Sequence, residues 1–415
     1  MKQLTTSIIM LLALLMPATT AAYDFEVDGI YYDIYDGSVF VTSEYYESHS
    51  YSGDVYIPEK VTYNGTEYTV SGIGQEAFMG CIQLTSVSIP NSVHIIDAWA
   101  FMGCSLLKNV DFGNSVTSIE VEAFRGCSRL RTVNLPNSLR TIGNGAFVSC
   151  GLSSIELPLV SSIGDIAFAE CKNLTSINIP YSVQYIGSDA FLNCGSLSCI
   201  TVDGYNNWYD SRDNCNAIIE TASNTLLRGC GNTVIPSTVT AIGSSAFSSC
   251  ADLTSIVLPS EVTTIDHYAF SDCTGLTLIS IPSGITKIGY YAFNNCNGLT
   301  DFYSFCTDPA LINMDSPIYW TYSEEFTKCT LHVPTGSSMA YQENPNWGPY
   351  FGTIVEMREL GDIDGDGAVS ITDITSLIDL LLSPEETPSY LDVNGDGIIS
   401  IMDITDLIDL LLNNN

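Results

Sequence analysis

The sequence predicts an α/β solenoid of short strands and short helical turns, followed by a small all-α module. Three observations lead to this fold class. The motif Ala-Phe-x-x-Cys recurs nine times, mostly at a period of 23 residues. Short segments of alternating apolar and polar residues lie between many of the copies. Residues 359–415 then carry two similar loops rich in Asp and Gly, 30 residues apart.

The repeat is the strongest signal, because its apolar positions recur in register. One step is shortened to 21 residues, from Cys150 to Cys171, and one is lengthened to 56, from Cys194 to Cys250. A coil of this size cannot bury its apolar side alone, whereas stacked coils bury a continuous core. The nine copies begin at Ala77, Ala100, Ala123, Ala146, Ala167, Ala190, Ala246, Ala269 and Ala292.

One full repeat shows the physical basis of the prediction. Val87 and Ile89 alternate with polar residues, as a short half-buried strand requires. Pro90 ends that strand, because it has no N–H for a sheet hydrogen bond. Phe101 and Cys104 follow at helical spacing, which places them on one face of a short helical turn.

These repeats resemble the BspA-like leucine-rich repeats of bacterial surface proteins. The resemblance covers roughly Ile73 to Phe302 and implies a leucine-rich-repeat solenoid with an adhesive role. The expected organisation is a signal peptide at 1–22, an N-terminal β cap at 23–72, repeats at 73–302 with an irregular insert at about 200–233, a C-terminal cap and linker at 303–358, and the final module at 359–415.

The irregular segments are predicted to be structural. Residues 23–72 are expected to shield the first coil, which solenoids need, and the aromatics of 303–358 to cover the last one. The insert is expected to replace coils, although its stretch from Trp208 to Asn216 is the first candidate in the solenoid for ligand contact. A glycan-stacking platform is the alternative for the first segment, through Tyr31, Tyr32, Tyr35, Tyr45, Tyr46 and Tyr51.

The nine motif cysteines are interpreted as small buried apolar side chains with free thiols. Each has an equivalent Cys on both sides in the stack, so none has a preferred disulfide partner. Two pairs lie outside the repeat register and remain open as disulfides: Cys215 with Cys230, and Cys306 with Cys329.

The N-terminus and the charge indicate an exported protein. Lys2, an apolar run from Ile8 to Met16 and small residues from Ala18 to Ala22 are typical of a signal peptide, and no later membrane span is expected. The formal net charge is −34, with 13 acidic residues and no Lys or Arg in 359–415. Such a surface repels nucleic acid and anionic lipid, so neither is expected as a partner.

The two C-terminal loops match the calcium-loop pattern of Asp or Asn at positions 1, 3 and 5, Gly at 6 and a carboxylate at 12. Oxygens at these positions, with the carbonyl of position 7 and the residue at position 9, wrap a hard cation. We therefore expect two Ca²⁺ ions. The predicted ligands are Asp362, Asp364, Asp366, Ala368, Ser370 and Asp373 in the first loop, and Asp392, Asn394, Asp396, Ile398, Ser400 and Asp403 in the second.

Each loop leads into an amphipathic helix, from Ile374 to Leu382 and from Ile404 to Leu412, and no incoming helix is predicted. This duplicated loop and exit helix resembles a type I dockerin over Gly361 to Leu412. The resemblance implies a cohesin-type partner on a scaffold or surface protein. It assigns the partner-facing positions to Ile371, Thr372, Leu377, Ile378, Ile401, Met402, Leu407 and Ile408.

The sequence thus favours a secreted, extracellular or surface-attached recognition protein without catalytic residues. The dockerin resemblance implies a polysaccharide-degrading assembly, in which the solenoid presents a face to an unidentified protein or glycan. Two alternatives remain open: a free-standing adhesin for host or microbial protein, and an enzyme acting on glycosidic bonds. The four histidines are widely scattered, and no zinc-spaced Cys/His set or phosphate-binding loop is present.

Overall fold

The computed structural model describes residues 23–44, 50–314, 328–357 and 371–381, together with 403–405 and 407–408. The predicted signal peptide lies outside these residues. The chain forms two compact units. The first unit comprises Met1–Ser223, Leu227–Thr233 and Ser248–Cys250; the second comprises Asn224–Leu226, Val234–Phe247 and Ala251–Asn415. Among the described residues, no helix is long and apolar enough to cross a membrane.

The first unit opens with antiparallel strands and continues as parallel coils. Its opening strands are β1 (Phe25–Val27), β2 (Ile30–Tyr35), β3 (Ser38–Thr42), β5 (Lys60–Tyr63) and β6 (Thr66–Ile73). A ladder of two-residue parallel strands follows β6: β8 (Ile95–Ile96), β10 (Ser118–Ile119), β11 (Thr141–Ile142), β12 (Ser162–Ile163) and β14 (Tyr185–Ile186). Successive strands pair residue for residue, which puts the isoleucines in one row.

Longer strands of the first unit form two further parallel sheets and one hairpin. The sheets contain β4 (Gly53–Tyr56), β7 (Leu84–Ser88) and β9 (Asn109–Asp111), and separately β13 (Ser176–Ile179) and β15 (Cys199–Val202). The hairpin lies in the insert and consists of β16 (Tyr209–Asp210) and β17 (Ile218–Glu220), with a 3₁₀ turn at Arg212–Asn214 between them.

The second unit repeats the same plan. Its short-strand ladder contains the first two residues of β18 (Thr225–Arg228), followed by β19 (Ala241–Ile242), β21 (Thr264–Ile265), β23 (Lys287–Ile288) and β25 (Asn313–Met314). Its five-stranded parallel sheet contains β20 (Ser255–Val257), β22 (Leu278–Ile281), β24 (Asp301–Ser304), β26 (Thr330–Val333) and β27 (Thr353–Glu356). The helices in its described residues include a 3₁₀ turn at Pro309–Leu311, α1 (Ser338–Glu343) and α2 (Ile371–Leu381).

The segments predicted as short helical turns are hydrogen-bonded turns that also form a ladder between coils. The Phe101 N–H donates to the Ala123 carbonyl of the next coil at 2.7 Å, whereas the Ala100 N–H donates to Asp97 in its own turn at 3.2 Å. This alternation needs a left-handed residue before each Ala and another before each Cys. They are Glu76, Trp99, Glu122, Gly145, Ile166, Asp189, Ser245, Tyr268 and Tyr291 in the first column, and Gly80, Gly103, Gly126, Ser149, Glu170, Asn193, Ser249, Asp272 and Asn295 in the second.

The core consists of stacked columns of identical residues. In the first unit the rings of the motif phenylalanines stack nearly parallel from Phe78 to Phe191, with centroids 4.8–5.5 Å apart. Tyr51 packs on Phe78 at 4.4 Å and covers the start of the column. In the second unit Phe302 packs edge-on against Phe293 and Trp347, at 5.4 and 5.8 Å. These aromatics replace the neighbouring coil that a terminal coil lacks.

Two of the six tyrosines that were candidates for a glycan platform serve this packing instead. Tyr32 and Tyr51 are buried, and the Tyr51 hydroxyl donates to the Thr42 carbonyl at 2.6 Å. Tyr31 is half-buried against Tyr51. Tyr45 and Tyr46 lie outside the described residues. The glycan-platform alternative is therefore wrong for Tyr32 and Tyr51, because a ligand cannot reach rings that are inside the core.

Candidate functional site

The described part of the C-terminal module shows the same arrangement twice, 30 residues apart. In α2, Leu377 is fully buried and Ile378 is 37 % exposed; residues 403–405 and 407–408 are also helical, and there Leu407 is fully buried and Ile408 is 38 % exposed. The sequence duplication is thus reproduced in burial. Of the positions that the dockerin resemblance assigned to a partner, Leu377 and Leu407 are thus buried in the structure, whereas Ile378 and Ile408 are exposed.

Most of the predicted calcium ligands lie outside the described residues. These are Asp362, Asp364, Asp366, Ala368, Ser370, Asp392, Asn394, Asp396, Ile398 and Ser400, together with the partner candidates Ile401 and Met402. Ile371, Thr372 and Asp373 lie in the first turn of α2, and the structure describes only their backbone.

Asp403, at position 12 of the second loop, is the predicted calcium ligand whose side chain the structure describes. It lies in a helical segment, and its side chain is completely buried. A buried carboxylate is stable only when it is compensated by hydrogen bonds or a cation. Position 12 of a calcium loop supplies such a ligand at the start of the exit helix. The described residue and the oxygen-rich donor set of the sequence therefore both fit a hard divalent cation.

The insert of the first unit holds its charged residues in internal contacts. Arg212 donates to both carboxylate oxygens of Asp210, at 2.7 and 2.6 Å, and Thr221 donates to Asp210 at 3.0 Å. Partial burial raises the pKa of Asp210, but these hydrogen bonds outweigh it and lower the pKa below its ordinary value. Ser211 contacts the Cys215 thiol at 3.7 Å. The group Asp210–Asp213 thus forms a stabilised turn.

Arg228 lies in the core within the long step from Cys194 to Cys250, in which no copy of the motif occurs. It is almost completely buried and donates to the carbonyls of Ser248 and Cys194, at 3.1 and 3.2 Å. On the same side, Asn193 accepts hydrogen bonds from Ser248 and Ser249 at 2.8 and 2.9 Å. The coil of Cys194 therefore contacts the Ser248–Cys250 turn directly, as expected if the insert replaces coils.

The motif cysteines form a second column of contacts beside the phenylalanines. All 14 cysteines are free thiols, including the two pairs that had remained open as disulfides. Seven of the nine motif thiols donate to the carbonyl of the Phe in the previous coil. Cys127, for example, donates to Phe101 at 3.3 Å, and the same contact occurs for Cys104, Cys150, Cys171, Cys194, Cys273 and Cys296. The motif cysteines thus act as small hydrogen-bond donors. Their interpretation as apolar side chains did not predict this.

The structure brings together two groups of polar side chains on the long strands that the sequence did not predict. On β4, β7 and β9 a groove of about 320 Å³ is lined by Asp54, Val55, Tyr56, Ser86, Val87, Ser88, Asn109 and Asp111. Ser86 and Thr85 both donate to Asp54 and lower its pKa. These residues come together only through the coil register, which neither the repeat motif nor local spacing discloses.

The second group is an Asp–His pair on the five-stranded sheet of the second unit. His332 Nε2 lies 2.8 Å from Asp301 Oδ1, and its ring stacks on Tyr303 at 4.1 Å. Thr300 donates to the other carboxylate oxygen at 2.8 Å. Among the described residues, no hydroxyl or thiol forms a hydrogen bond with His332. The pair is therefore held in place by Thr300 and by the ring of Tyr303.

Comparisons with known proteins agree with this architecture. A family model for the BspA type leucine rich repeat region matches six copies, over residues 54–160, 141–222 and 227–315. A model for the dockerin type I domain matches residues 360–412. No curated protein matches the chain significantly.

Solved structures also resemble the chain. A leucine rich cell surface protein from Faecalibacterium prausnitzii is 26 % identical, with a TM-score of 0.61, and the match covers 83 % of this chain and 97 % of that one. The pneumococcal vaccine antigen PcpA is 21 % identical, with a TM-score of 0.62, over 81 % of this chain and 98 % of that one; this likeness concerns the fold alone.

The coils, their parallel register and their stacked core define a leucine-rich-repeat solenoid with a C-terminal accessory module. The chain belongs to the BspA type leucine-rich-repeat family, whose repeats match more than half of its length, and its C-terminal module is a type I dockerin domain. Both are non-catalytic modules, and both are typical of secreted or cell-surface proteins.

Proposed function

We propose that this protein is a secreted recognition protein that docks through its dockerin to a cohesin-bearing scaffold and presents a ligand with its solenoid. The observation that carries the proposal is the dockerin match at 360–412, which coincides with the two oxygen-rich loops of the sequence. A polysaccharide-degrading assembly is the proposed setting. The solenoid contributes an extended surface without catalytic residues.

Docking is proposed to depend on two Ca²⁺ ions, one in each loop. Seven of the proposed ligands are carboxylates within two short loops, so they repel one another when no cation is bound. Calcium then supplies the free energy that orders each loop and its exit helix. The buried position of Asp403 supports this coupling, because it places a carboxylate at position 12 of the second loop inside the folded module.

The proposed partner surface contains the exposed isoleucines of the two helices, Ile378 and Ile408. Ile371, Thr372, Ile401 and Met402 complete it as sequence-based candidates. These positions are mostly apolar, so the docking surface is proposed to be hydrophobic and to be surrounded by the acidic residues of the module. Burial of such side chains stabilises a complex, because their apolar area is removed from water.

Calcium-dependent binding to immobilised cohesin modules tests the proposal. The full chain should be retained at millimolar Ca²⁺ and released by a chelator, and calorimetry should detect two Ca²⁺ ions per chain. Ile378→Asp with Ile408→Asp should weaken retention at least tenfold and leave calcium uptake unchanged. Val234→Asp, at an exposed apolar residue of the solenoid, is the matched control and should bind normally.

Three outcomes would overturn parts of the proposal. Absence of calcium uptake would remove the docking mechanism, and calcium uptake without cohesin binding would favour a free-standing surface adhesin. The likeness to a leucine rich cell surface protein gives that second function some support. Release of reducing sugars from polysaccharides by the purified chain would favour the enzyme alternative.

A further inference from the structure

Four exposed aromatic side chains lie where the insert meets a coil of the first unit. Tyr181 and Tyr185 are each 52 % exposed, Tyr205 is 85 % exposed and Trp208 is 41 % exposed. They are all the large hydrophobic side chains that are exposed between residues 178 and 222. We call these four residues the aromatic surface.

Three hydrogen bonds fix the insert to the coil at this surface. The Asn206 side-chain amide donates to the carbonyls of Pro180 and Val183, at 2.8 and 3.0 Å. The Tyr209 hydroxyl accepts a hydrogen bond from the Ile186 N–H at 2.9 Å. Each of the four aromatic residues is one position away from a partner in these bonds. The fold therefore brings together two tyrosines of the coil with a tyrosine and a tryptophan of the insert.

The side chains of the aromatic surface do not take part in ring stacking or side-chain hydrogen bonds within the described residues. Among the described residues, none of the four rings stacks on another ring, and neither the tyrosine hydroxyls nor the indole N–H takes part in a hydrogen bond. This distinguishes them from the aromatics at the ends of the solenoid, which are buried against one another. Exposed rings with free polar ends can pack against a ligand and also donate hydrogen bonds to it.

The composition of the surroundings selects the class of ligand. Residues 178–222 contain five acidic residues and one basic residue, Arg212, which is bonded to Asp210. An acidic surface repels anionic ligands. Aromatic faces without exposed aliphatic neighbours suit the C–H faces of sugar rings, whose partial positive charge is attracted by the negative face of the π system. The chemistry of the surface thus matches an uncharged glycan.

We propose that the aromatic surface binds a neutral polysaccharide chain. The proposal rests on the ligand-presenting role proposed above for the solenoid and names the class of ligand. It does not depend on calcium or cohesin binding, so its failure is distinguishable from failure of docking. Sugar rings stack on the exposed aromatics, and their hydroxyl groups accept hydrogen bonds from the tyrosine hydroxyls and the indole N–H.

Affinity electrophoresis of the full chain tests this proposal, with hydroxyethyl cellulose, xylan or galactomannan in the gel and polygalacturonate as the anionic comparison. At least one neutral polysaccharide should retard the chain, and polygalacturonate should not. Tyr205→Ala with Trp208→Ala should weaken that retardation at least tenfold. Tyr56→Ala, at an exposed tyrosine on β4, should have no effect. Circular dichroism of each variant checks that the coils remain folded.

The proposal is overturned if no neutral polysaccharide retards the chain, or if the double variant is retarded like the unmodified chain. It is also overturned if the aromatic surface binds a basic protein such as cytochrome c and no polysaccharide. In that case the same residues would form a protein interface.

Discussion

At the scale of single residues, the left-handed position before each motif Ala imposes a conformational demand that the sequence meets unevenly. Gly145 adopts positive φ at no steric cost, whereas Ile166 occupies the equivalent place with φ of 49°. A β-branched residue is strained there, because its Cβ approaches the following carbonyl. Its N–H nevertheless donates to the Ser188 carbonyl of the next coil at 2.9 Å. The ladder between coils therefore maintains this strained residue.

Replacing Ile166 by Asn is expected to stabilise the first unit by about 1 kcal/mol, because Asn tolerates the left-handed region. The backbone hydrogen bond to Ser188 is retained in the variant. Differential scanning calorimetry should show a higher melting temperature. Ile82→Asn makes the same replacement at an exposed residue that does not have positive φ, and it should leave the melting temperature nearly unchanged. Equal effects of the two substitutions would contradict the argument from strain.

At the scale of elements, the sequence predicted the strands better than the turns. Val87 and Ile89 showed a half-buried strand by alternation, and both are buried. Phe101 and Cys104 were correctly placed on one buried side, but their spacing suits both a helical turn and the hydrogen-bonded turns observed. What separates the two is the positive φ of residues such as Trp99 and Glu122. Neither residue type favours that conformation, so the pairing between coils decides it.

The insert is a second element whose chemistry depends on distant contacts. Arg228 lies in a strand whose local sequence, Thr-Leu-Leu-Arg, suggests an exposed end. In the structure its guanidinium reaches carbonyls that are 20 and 34 residues away. Burial raises the pKa of the Cys194 thiol to about 11, and nearby Arg228 offsets part of that rise. Arg228 therefore holds together parts of the first unit that only the fold brings into contact.

Arg228→Met is expected to destabilise the first unit by about 2 kcal/mol, since buried carbonyls lose their donor while the packing volume is approximately kept. Because solenoids unfold in parts, hydrogen exchange of residues 193–197 and 226–250 should be measured beside the melting temperature. Arg125→Met is the matched control. Arg125 is exposed and pairs with Glu122 at the surface, so its loss should cost at most about 0.5 kcal/mol. A variant as well protected as the unmodified chain would contradict the role given to Arg228.

At the scale of the whole molecule, the sequence predicted modules more completely than surfaces. The repeat and the calcium-loop patterns are local, so nine motif copies and two loops were visible without a structure. The aromatic surface combines Tyr181 with Tyr205, and the pair on the five-stranded sheet combines Asp301 with His332. Which of these residues come near one another depends on how many residues each coil contains. At Leu377 the sequence predicted the helix correctly. It did not distinguish the buried face of that helix from the exposed face.

The stacked cysteines give the solenoid a common response to alkaline pH. Burial raises the pKa of Cys194 to about 11 and also raises the pKa values of Cys81, Cys104, Cys150 and Cys171. An unfolded thiol ionises near pH 9. Between pH 9 and the raised pKa values, the unfolded chain therefore binds fewer protons than the folded chain. The free energy of unfolding then decreases as the pH rises, by up to about 1.4 kcal/mol per pH unit for each such thiol.

We expect the urea midpoint of the full chain to be constant from pH 7 to 8.5 and to decrease steeply from pH 9 to 10. The measurement needs a reductant throughout, so that thiolate oxidation does not contribute. The double variant Cys104→Ala with Cys171→Ala should be less stable at pH 7 and should have a shallower alkaline decrease, because two of the raised thiols are gone. Cys199→Ala removes an exposed thiol and should reproduce the profile of the unmodified chain. If the double variant keeps the full slope, the alkaline transition belongs to groups other than the buried thiols. Burial also raises the pKa values of Tyr32, Tyr51 and Tyr341, so these tyrosines would be tested first.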